Sequence, residues 1–383
     1  MPKSLINQLC FCIGVLVLLV TAHHARAAQF SQSSASHAIM VDYDTGMVLF
    51  QKNADEQMPT SSMSKVMTMY MVFEALENGQ LSLNTELPVS EEAWRKGGSK
   101  MFVEAGKKVA VEDLIRGVIV QSGNDATIVL AEGIAGSESA FAETMNNTAH
   151  ALGMAASNFR NASGWPDPDH YSTPRDLATL GKALIRNHGQ YYHYYSEREF
   201  TYNNIRQPNR NPLLYRDVGA DGIKTGRTEA AGYGLIASGT QDGRRVVLVV
   251  NGLDSERERA NESARLLRWG LSGFRNFDLF AAGETVENAA VSLGQKDTVP
   301  LVLGDALRVT VPLNLQNDLR VEVVYHGPLQ APVQQGTEIG LLRVHVPRLE
   351  TIERPLLAGE TIGEQGLFKR ALSRALMLVR GQS

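Results

Sequence analysis

The stretch that decides the fold is residues 59–70, which read Pro-Thr-Ser-Ser-Met-Ser-Lys-Val-Met-Thr-Met-Tyr. Pro59 and the Ser/Thr cluster are typical of a helix start, and Val66 to Leu76 supply an apolar helical body. Ser62 and Lys65 are three apart, so on one helix face they can touch. A desolvated lysine can take the proton of a serine and make it nucleophilic. An ordinary capped helix with a solvated lysine shows the same pattern, so the pair alone does not establish catalysis.

Length and composition bound the class of protein. The chain has 383 residues, which is a soft prior for two or three domains. It is 43% hydrophobic and 20% charged, as ordinary globular proteins are, so disorder is not indicated. The formal net charge of −4 provides no basic excess, and we therefore do not expect nucleic acid as a partner.

The N-terminus predicts a signal peptide over residues 1–27. A short positive region precedes an apolar run from Leu9 to Val20, and residues 25–27, Ala-Arg-Ala, form a small-x-small cleavage site. The run is too short to span a bilayer comfortably, although a retained signal anchor is the alternative. Cys10 and Cys12 lie inside this segment. The mature chain would therefore hold no cysteine, which excludes disulfides and thiol catalysis.

The C-terminus predicts an amphipathic membrane-anchoring helix over residues 364–383. Phe368, Leu372 and Leu376 fall on one helical face, and the basic side chains fall on the other. A basic amphipathic helix at a chain end is typical of an in-plane membrane anchor. A helix packed on its own protein or on a partner is the alternative, since amphipathicity does not separate the two.

The body of the chain mixes strands and helices. Helical patterns run over residues 111–121, 126–134, 137–152, 174–187 and 255–274, and strand patterns over 38–42, 47–53, 219–226, 233–240 and 244–251. Residues 80–110 and 191–215 show no clean period. From residue 275 to 360 only short alternating runs occur, punctuated by Gly and Pro, which predicts a separate small β-domain.

Three short motifs stand in order: Ser62-x-x-Lys65, Ser122-Gly123-Asn124 and Lys224-Thr225-Gly226. Together the motifs resemble those of the penicillin-recognising serine enzymes. The sequence is most similar to the D-alanyl-D-alanine carboxypeptidases, the low-molecular-mass penicillin-binding proteins. That resemblance continues through residues 205–211 and 221–233, the trailing β-region and the amphipathic tail.

The resemblance implies an α+β fold. A β-lactamase/transpeptidase-like domain, with an antiparallel sheet flanked by helices and a helical subdomain, would occupy residues 28–274. A small all-β domain would follow over residues 275–360, and then the helix at 364–383. The implied enzyme is a serine-type hydrolase that removes the terminal D-alanine from peptidoglycan stem pentapeptides through an acyl-enzyme. β-Lactams would inhibit it covalently, no cofactor or metal is expected, and it would sit peripherally on the periplasmic face of the inner membrane.

The family's catalytic roles carry over to three residues. Ser62 would attack the carbonyl of the penultimate D-alanine, and Lys65 would accept its proton. Ser122 would bridge Lys65 to the leaving amine and relay the proton. The second cation of Lys224 and burial would both lower the pKa of Lys65.

The remaining motif residues would bind substrate. Lys224 and Thr225 would hold the terminal carboxylate, Arg210 would add positive charge, and Asn124 would bond the substrate backbone or Lys65. The backbone N–H groups of Ser62 and Arg227 would form the oxyanion hole. Many relatives carry histidine where this chain has Arg227. Because only its amide is needed, we expect the reaction to survive with altered rate or substrate preference.

Plainer interpretations exist for several of these residues. Ser122 could cap the helix near Asn124, and Lys224 could be an edge-strand solubility lysine. Arg210 could be a surface residue that stacks on a tyrosine. Asp167, Asp169 and His170 could suggest a metal, but turn chemistry in a loop explains them better.

Competing functions share the same motifs. A serine β-lactamase would need an activated water, typically through a glutamate on a loop such as residues 161–172, which holds aspartates but no glutamate. Slow release of β-lactams is therefore expected. A wall-binding protein without activity is disfavoured by the intact motifs. Endopeptidase action on cross-links stays open within the same mechanism.

Overall fold

The computed structural model describes residues 32–367 and residue 369. The predicted signal peptide and nearly all of the predicted amphipathic helix lie outside the described residues. By contacts, the chain divides into two compact units. The first comprises the residues up to Met40, Phe50–Ala237 and Leu248–Leu266, and the second comprises Val41–Leu49, Ser238–Val247 and the chain from Leu267 onward. All eight candidate site residues belong to the first unit.

Seven α-helices are described. They are α1 (Lys65–Glu77), α2 (Glu91–Arg95), α3 (Val111–Ile119), α4 (Asn124–Ala135), α5 (Glu138–Ala151), α6 (Pro174–Asn187) and α7 (Glu256–Ser272). Side chains at their N-termini explain where several begin. Ser137 accepts a hydrogen bond from the N–H of Ala140, and Thr173, which precedes Pro174, accepts one from Asp176. The predicted long helices are present, and their ends differ from the predicted bounds by a few residues.

A five-stranded sheet has the order β2-β1-β9-β8-β7. The strands up to residue 253 are β1 (His37–Asp42), β2 (Val48–Lys52), β3 (Glu86–Pro88), β4 (Lys108–Ala110), β5 (Glu199–Tyr202), β6 (Ile205–Pro208), β7 (Ala220–Thr228), β8 (Gly232–Gln241) and β9 (Arg244–Leu253). Asp242 and Gly243 connect β8 to β9 with φ of 52° and 77°, the left-handed pair that a tight hairpin requires.

The first motif differs locally from its prediction. Residues Ser61–Ser64 form a 3₁₀ turn, and the α-helix proper begins at Lys65. Thr60 makes no side-chain cap; its Oγ1 instead lies 2.5 Å from Ser64 Oγ. Helix α1 is buried from Lys65 to Phe73 and again at Ala75, as a central helix of a domain is. Ser62 is thus anchored at the end of a core element.

Two segments without a clean sequence period still form small sheets. Strands β3 and β4 pair antiparallel, and so do β5 and β6. Asn203 and Asn204 join the second pair with φ of 48° and 62°. Asparagine tolerates the left-handed region, so this Asn-Asn step supplies a two-residue hairpin turn.

The chain beyond α7 is built from strands. They are β10 (Phe274–Phe280), β11 (Thr285–Ser292), β12 (Thr298–Leu303), β13 (Leu307–Pro312), β14 (Arg320–Tyr325), β15 (Leu329–Gln330), β16 (Glu338–His345) and β17 (Ile352–Ala358). A six-stranded sheet has the order β14-β16-β17-β12-β11-β15, and β10 pairs with β13. Val299, Leu301, Val309 and Leu342 are fully buried in its core. The α+β fold with a trailing all-β region is confirmed.

No helix in the described part of the chain combines the length and apolar character needed to cross a bilayer.

Candidate active site

Ser62 and Lys65 are in direct contact. The Lys65 ammonium nitrogen lies 2.9 Å from Ser62 Oγ. It also lies 2.7 Å from Asn124 Oδ1 and 2.6 Å from the carbonyl oxygen of Ser163. Lys65 is fully buried, whereas Ser62 is half-buried at the cleft. Three acceptors therefore fix a buried amine against a hydroxyl that solvent can reach.

Burial changes the protonation of this amine. Desolvation, with a smaller effect from the positive charge of Arg210, lowers the pKa of Lys65 to about 7, and the carboxylates of Asp125 and Glu138 oppose the shift. At neutral pH about half of such amines are unprotonated, whereas an exposed lysine is almost entirely charged. The site thus holds an amine that can accept a proton from its neighbour.

Ser122 and Lys224 form a second pair. Lys224 Nζ donates to Ser122 Oγ at 2.9 Å and to the carbonyl oxygen of Thr225 at 3.2 Å. Ser122 adopts a φ of 59° in the turn between α3 and α4, and it does not cap α4. Burial first, and the charge of Lys65 second, lower the pKa of Lys224 well below its ordinary value. The hydroxyl of Ser122 is therefore bonded to Lys224 rather than to Lys65.

Gly226 explains how the Lys-Thr-Gly strand reaches the nucleophile turn. A Cβ at this position would lie 2.9 Å from the carbonyl oxygen of Thr60 and 3.1 Å from Met63 Cγ. Ser61 Oγ also lies 3.2 Å from Thr228 Oγ1. Only glycine permits this approach, so the third residue of the motif is set by backbone packing.

The two arginines of the prediction occupy different surroundings. Arg210 hydrogen-bonds to Ser99, and its charge contributes to the lowered pKa values of both Lys65 and Lys224. Arg227 is exposed, and its guanidinium lies 5.1 Å from the centre of the Tyr233 ring. Both arginines are therefore exposed, and of the two it is Arg210 whose charge acts on the buried lysines.

A cleft of about 680 Å³ opens beside Ser62. Asn124, Gly164, Trp165 and Arg227 line it together with Ser62. A group bound here would contact Ser62 Oγ directly. The structure thus joins Ser62, Lys65 and Asn124 by hydrogen bonds beside the cleft, and it pairs Lys224 with Ser122, two positions before Asn124, with Thr225 next on the same strand.

Sequence reasoning missed the residues that hold this arrangement. The Asp125 carboxylate accepts hydrogen bonds from the N–H groups of Met101 and Phe102, both at 2.8 Å, and of Val103 at 3.2 Å. These bonds fix the loop that lies against the Ser-x-Asn turn. The three amides lie more than twenty positions away in sequence, so no local pattern links them to Asp125. The one available signal was the position of Asp125 directly after Ser-x-Asn.

His170 is a structural residue inside the loop of residues 161–172. Its Nδ1 accepts the N–H of Arg160 at 3.1 Å, which leaves Nε2–H to donate to Ser64 Oγ at 2.7 Å. Burial lowers the pKa of His170 to about 4, so the ring is neutral. Asp167 accepts the N–H of Asp169, which is turn chemistry. Within residues 32–367, no group of three or more His, Cys, Asp or Glu side chains is placed to hold a metal ion.

A hydroxyl against a buried amine of lowered pKa, beside a second buried lysine, defines a serine hydrolase site. Residues 22–255 match the family model of D-alanyl-D-alanine carboxypeptidases, peptidase S11, and residues 274–364 match the model of the penicillin-binding protein 5 C-terminal domain. The protein therefore belongs to the D-alanyl-D-alanine carboxypeptidase family. The family prediction is confirmed.

Named relatives agree with this assignment. The chain is 39% identical to the D-alanyl-D-alanine carboxypeptidase DacC of Escherichia coli K12, across 88% of this chain and 87% of that protein. It is similar to penicillin-binding protein 5 of Haemophilus influenzae, with 37% identity, a TM-score of 0.77, and coverage of 87% and 98%. The DacD structure of Francisella tularensis gives 32% identity, a TM-score of 0.80, and coverage of 87% and 95%.

Proposed function

We propose that the protein removes the terminal D-alanine from peptidoglycan stem pentapeptides through an acyl-enzyme on Ser62. The observation that carries the proposal is the 2.9 Å contact between Ser62 Oγ and the fully buried Lys65 amine, whose pKa is about 7. The family membership supplies the reaction class. β-Lactams would acylate the same serine and inhibit the enzyme.

In the acylation step, Ser62 Oγ attacks the carbonyl carbon of the penultimate D-alanine as its proton passes to Lys65 Nζ. The backbone N–H groups of Ser62 and Arg227 stabilise the oxyanion. The C–N bond then breaks, and the leaving amine takes the proton from Lys65 with Ser122 as the relay. Because Ser122 is bonded to Lys224 in the free enzyme, the relay requires a modest shift of the hydroxyl when substrate binds.

The terminal carboxylate would bind where the positive charge is concentrated. Arg210 carries positive charge there, the Lys224 amine donates hydrogen bonds, and Thr225 adds a hydroxyl on the same strand as Lys224. Asn124 holds Lys65 through a 2.7 Å hydrogen bond and stands at the cleft, so it positions the base beside the substrate. Water would then hydrolyse the acyl-enzyme and restore Ser62.

The decisive experiment measures free D-alanine released from a pentapeptide ending in D-Ala-D-Ala. Release should be blocked by benzylpenicillin and lost in Ser62→Ala, while the control Ser139→Ala, at an exposed serine, keeps full activity. Release by Ser62→Ala at the wild-type rate would overturn the assignment of the nucleophile. The same assay with a cross-linked dimer as substrate tests endopeptidase action.

We also propose that residues 1–27 are removed on secretion, and that residues 28–274 and 275–360 are the catalytic and β-domains. Residues 364–383 would hold the enzyme peripherally on the periplasmic face of the inner membrane. The sequence pattern of the tail supports this, because its basic face suits anionic lipid. Deletion of residues 364–383 should move the protein from the membrane fraction to the soluble fraction. An unchanged distribution would contradict the anchor.

A further inference from the structure

Asp125 is a fully buried carboxylate at the second position of helix α4. Its Oδ1 accepts the N–H of Met101 at 2.8 Å and that of Ala126 at 3.0 Å, and its Oδ2 accepts the N–H groups of Phe102 at 2.8 Å and of Val103 at 3.2 Å. A buried carboxylate is costly unless its oxygens are hydrogen-bonded. The three consecutive N–H groups therefore fix the loop of residues 97–103 against the start of α4.

The backbone of this loop is strained at Phe102. Its φ is 70°, and the residue is 43% exposed, so packing of the side chain contributes little there. A non-glycine residue in the left-handed region costs on the order of 1–3 kcal/mol and persists only where its surroundings hold it. Asp125 accepts the N–H of Phe102, and Asn203 Nδ2 donates to its carbonyl oxygen at 3.0 Å. The shape of the loop therefore depends on these two side chains.

The loop in turn holds Asn124 in one orientation. Asn124 Nδ2 donates to the carbonyl oxygen of Gly97 at 2.9 Å, and the backbone N–H of Asn124 donates to the carbonyl oxygen of Ser99 at 2.8 Å. Because Nδ2 is bonded to Gly97, it is Oδ1 that faces the Lys65 amine, at 2.7 Å. An amide oxygen stabilises an ammonium group, whereas an amide NH2 repels it. A displaced loop would therefore leave the charged form of the base poorly held.

The same loop reaches Arg210. Ser99 Oγ accepts a hydrogen bond from Arg210 Nη1, and the carbonyl oxygen of Lys100 accepts one from Gln207 Nε2 at 3.1 Å. Arg210 is the exposed cation that we propose attracts the terminal carboxylate of the substrate. One short loop thus connects the amide that holds the base with the arginine that binds the carboxylate.

We propose that Asp125 is a positioning residue for the reaction: by fixing the loop of residues 97–103, it keeps Asn124 oriented toward Lys65 and holds Arg210 in place. This rests on the proposed function, since it assigns a further residue to the same site. Asp125 is buried and is not among the residues that line the cleft, so it acts through Asn124 and Arg210. Its negative charge also favours the ammonium form of Lys65.

The test compares two variants that loosen the loop from opposite sides. Asp125→Asn removes the charge, and the NH2 group that replaces one oxygen cannot accept a backbone N–H. Asn203→Gly removes the hydrogen bond to the Phe102 carbonyl, and glycine keeps the φ of 48° found at that turn. Glu143→Gln, at an exposed carboxylate of α5, is the matched control for loss of a charge. Steady-state D-alanine release gives kcat and KM, and acylation by a fluorescent penicillin across a pH series gives the midpoint of the pH profile.

Asp125→Asn should lower kcat/KM by about 10²-fold, because misplacement of reacting groups by about 1 Å has effects of that size. KM should rise, because Arg210 loses the loop that holds it. The midpoint should move downward by about half a pH unit, because the charge that favours the ammonium form of Lys65 is gone. Asn203→Gly should raise KM by about threefold and leave the midpoint in place, since it removes one neutral hydrogen bond and no charge. Glu143→Gln should change neither quantity.

A kcat/KM for Asp125→Asn within about twofold of the wild-type value would overturn the proposal. So would a lower kcat with KM and the midpoint unchanged, since that pattern reflects only a smaller folded fraction. Should Asp125→Asn fail to fold, the KM of Asn203→Gly decides: a raised KM supports the role of the loop, and an unchanged KM rejects it. A wild type that releases no D-alanine would refute the proposed function alone, because the midpoints of penicillin acylation still decide the role of Asp125.

Discussion

The protonation of Lys65 should govern how acylation depends on pH. Burial lowers its pKa from 10.5 to about 7. With an ordinary pKa, roughly one lysine in 3,000 would be neutral at pH 7, whereas here about half are. The burial therefore raises the reactive population by about 10³ at neutral pH. The acylation rate should rise with pH below 7 and level off above it, because only the neutral amine can accept the Ser62 proton.

Two nearby charged residues shift the pKa of Lys65 in opposite directions. Arg210 lowers the pKa of Lys65, so Arg210→Gln should move the midpoint of the pH profile upward. Glu138 raises that pKa, so Glu138→Gln should move the midpoint downward. A unit charge about 10 Å away acts with on the order of 1.5 kcal/mol at an effective dielectric constant of about 20, or about one pH unit. Solvent screening makes half a unit a realistic expectation for each variant.

The assay is stopped-flow acylation by a fluorescent penicillin between pH 5 and pH 10. The midpoint is compared rather than the amplitude, because Arg210 is also proposed to bind the carboxylate and its loss weakens affinity. Ser62→Ala provides the baseline. Equal midpoints in the wild type, Arg210→Gln and Glu138→Gln would refute Lys65 as the titrating base. Midpoints that move in the same direction in the two variants would refute it as well.

The remaining predictions concern stability, packing, the rim of the cleft and β-lactam release. Lys65→Met should abolish acylation yet raise the free energy of unfolding, by on the order of 3 kcal/mol at pH 6, because the folded-state pKa is lowered and the charged amine is disfavoured below about pH 7. This gain in stability should shrink toward pH 10, which urea unfolding at pH 6 and pH 10 measures. A gain that is equal at the two pH values, or larger at pH 10, would contradict the prediction. Gly226→Ala should lower the free energy of unfolding by about 1–3 kcal/mol and remove most of the acylation rate, because the new Cβ clashes with Thr60. Gly97→Ala is the tolerated control, since its Cβ would meet only Trp165 at 3.6 Å. Equal melting temperatures for the two variants would contradict this expectation. Arg227→His should keep kcat within about threefold because the amide is retained, and a hundredfold loss in D-alanine release would show that the side chain acts in the reaction. A chromogenic cephalosporin should acylate the enzyme, and the acyl-enzyme should hydrolyse slowly, because residues 161–172 contain no glutamate to activate water. Rapid turnover of the cephalosporin would contradict this expectation.

Much of the fold could be predicted because its signals are local. Helix α6 begins where Thr173 and Pro174 predict, and the turn at Asp242 and Gly243 joins two strands of the central sheet. In each case the deciding contact lies within four residues. The hairpin of β5 and β6 also had a local signal, the Asn203-Asn204 turn, which was obscured by the absence of alternation in the strands beside it.

The supports of the site could not be predicted in the same way. Ser163 offers a backbone carbonyl to Lys65 across 98 positions of sequence, and any residue provides a carbonyl. His170 reaches Ser64 across 106 positions. Asp125 holds three amides 22 to 24 positions away. Pattern identifies side chains that are chemically unusual, but not which common groups the fold will place around them.

The same burial explains both the reactivity of the site and its dependence on those supports. A lysine removed from water is costly to keep charged, so the fold must either lose the proton or satisfy the ammonium with acceptors. Lys65 has three acceptors, of which Ser163 and Asn124 are fixed by the fold and Ser62 is the reacting group. Since two acceptors remain when Ser62 gives up its proton, the newly charged Lys65 is stabilised at the step in which it forms. The motif spacing places the base beside the hydroxyl, and the predicted Asn124 amide together with the unpredicted Ser163 carbonyl stabilises the ammonium that forms.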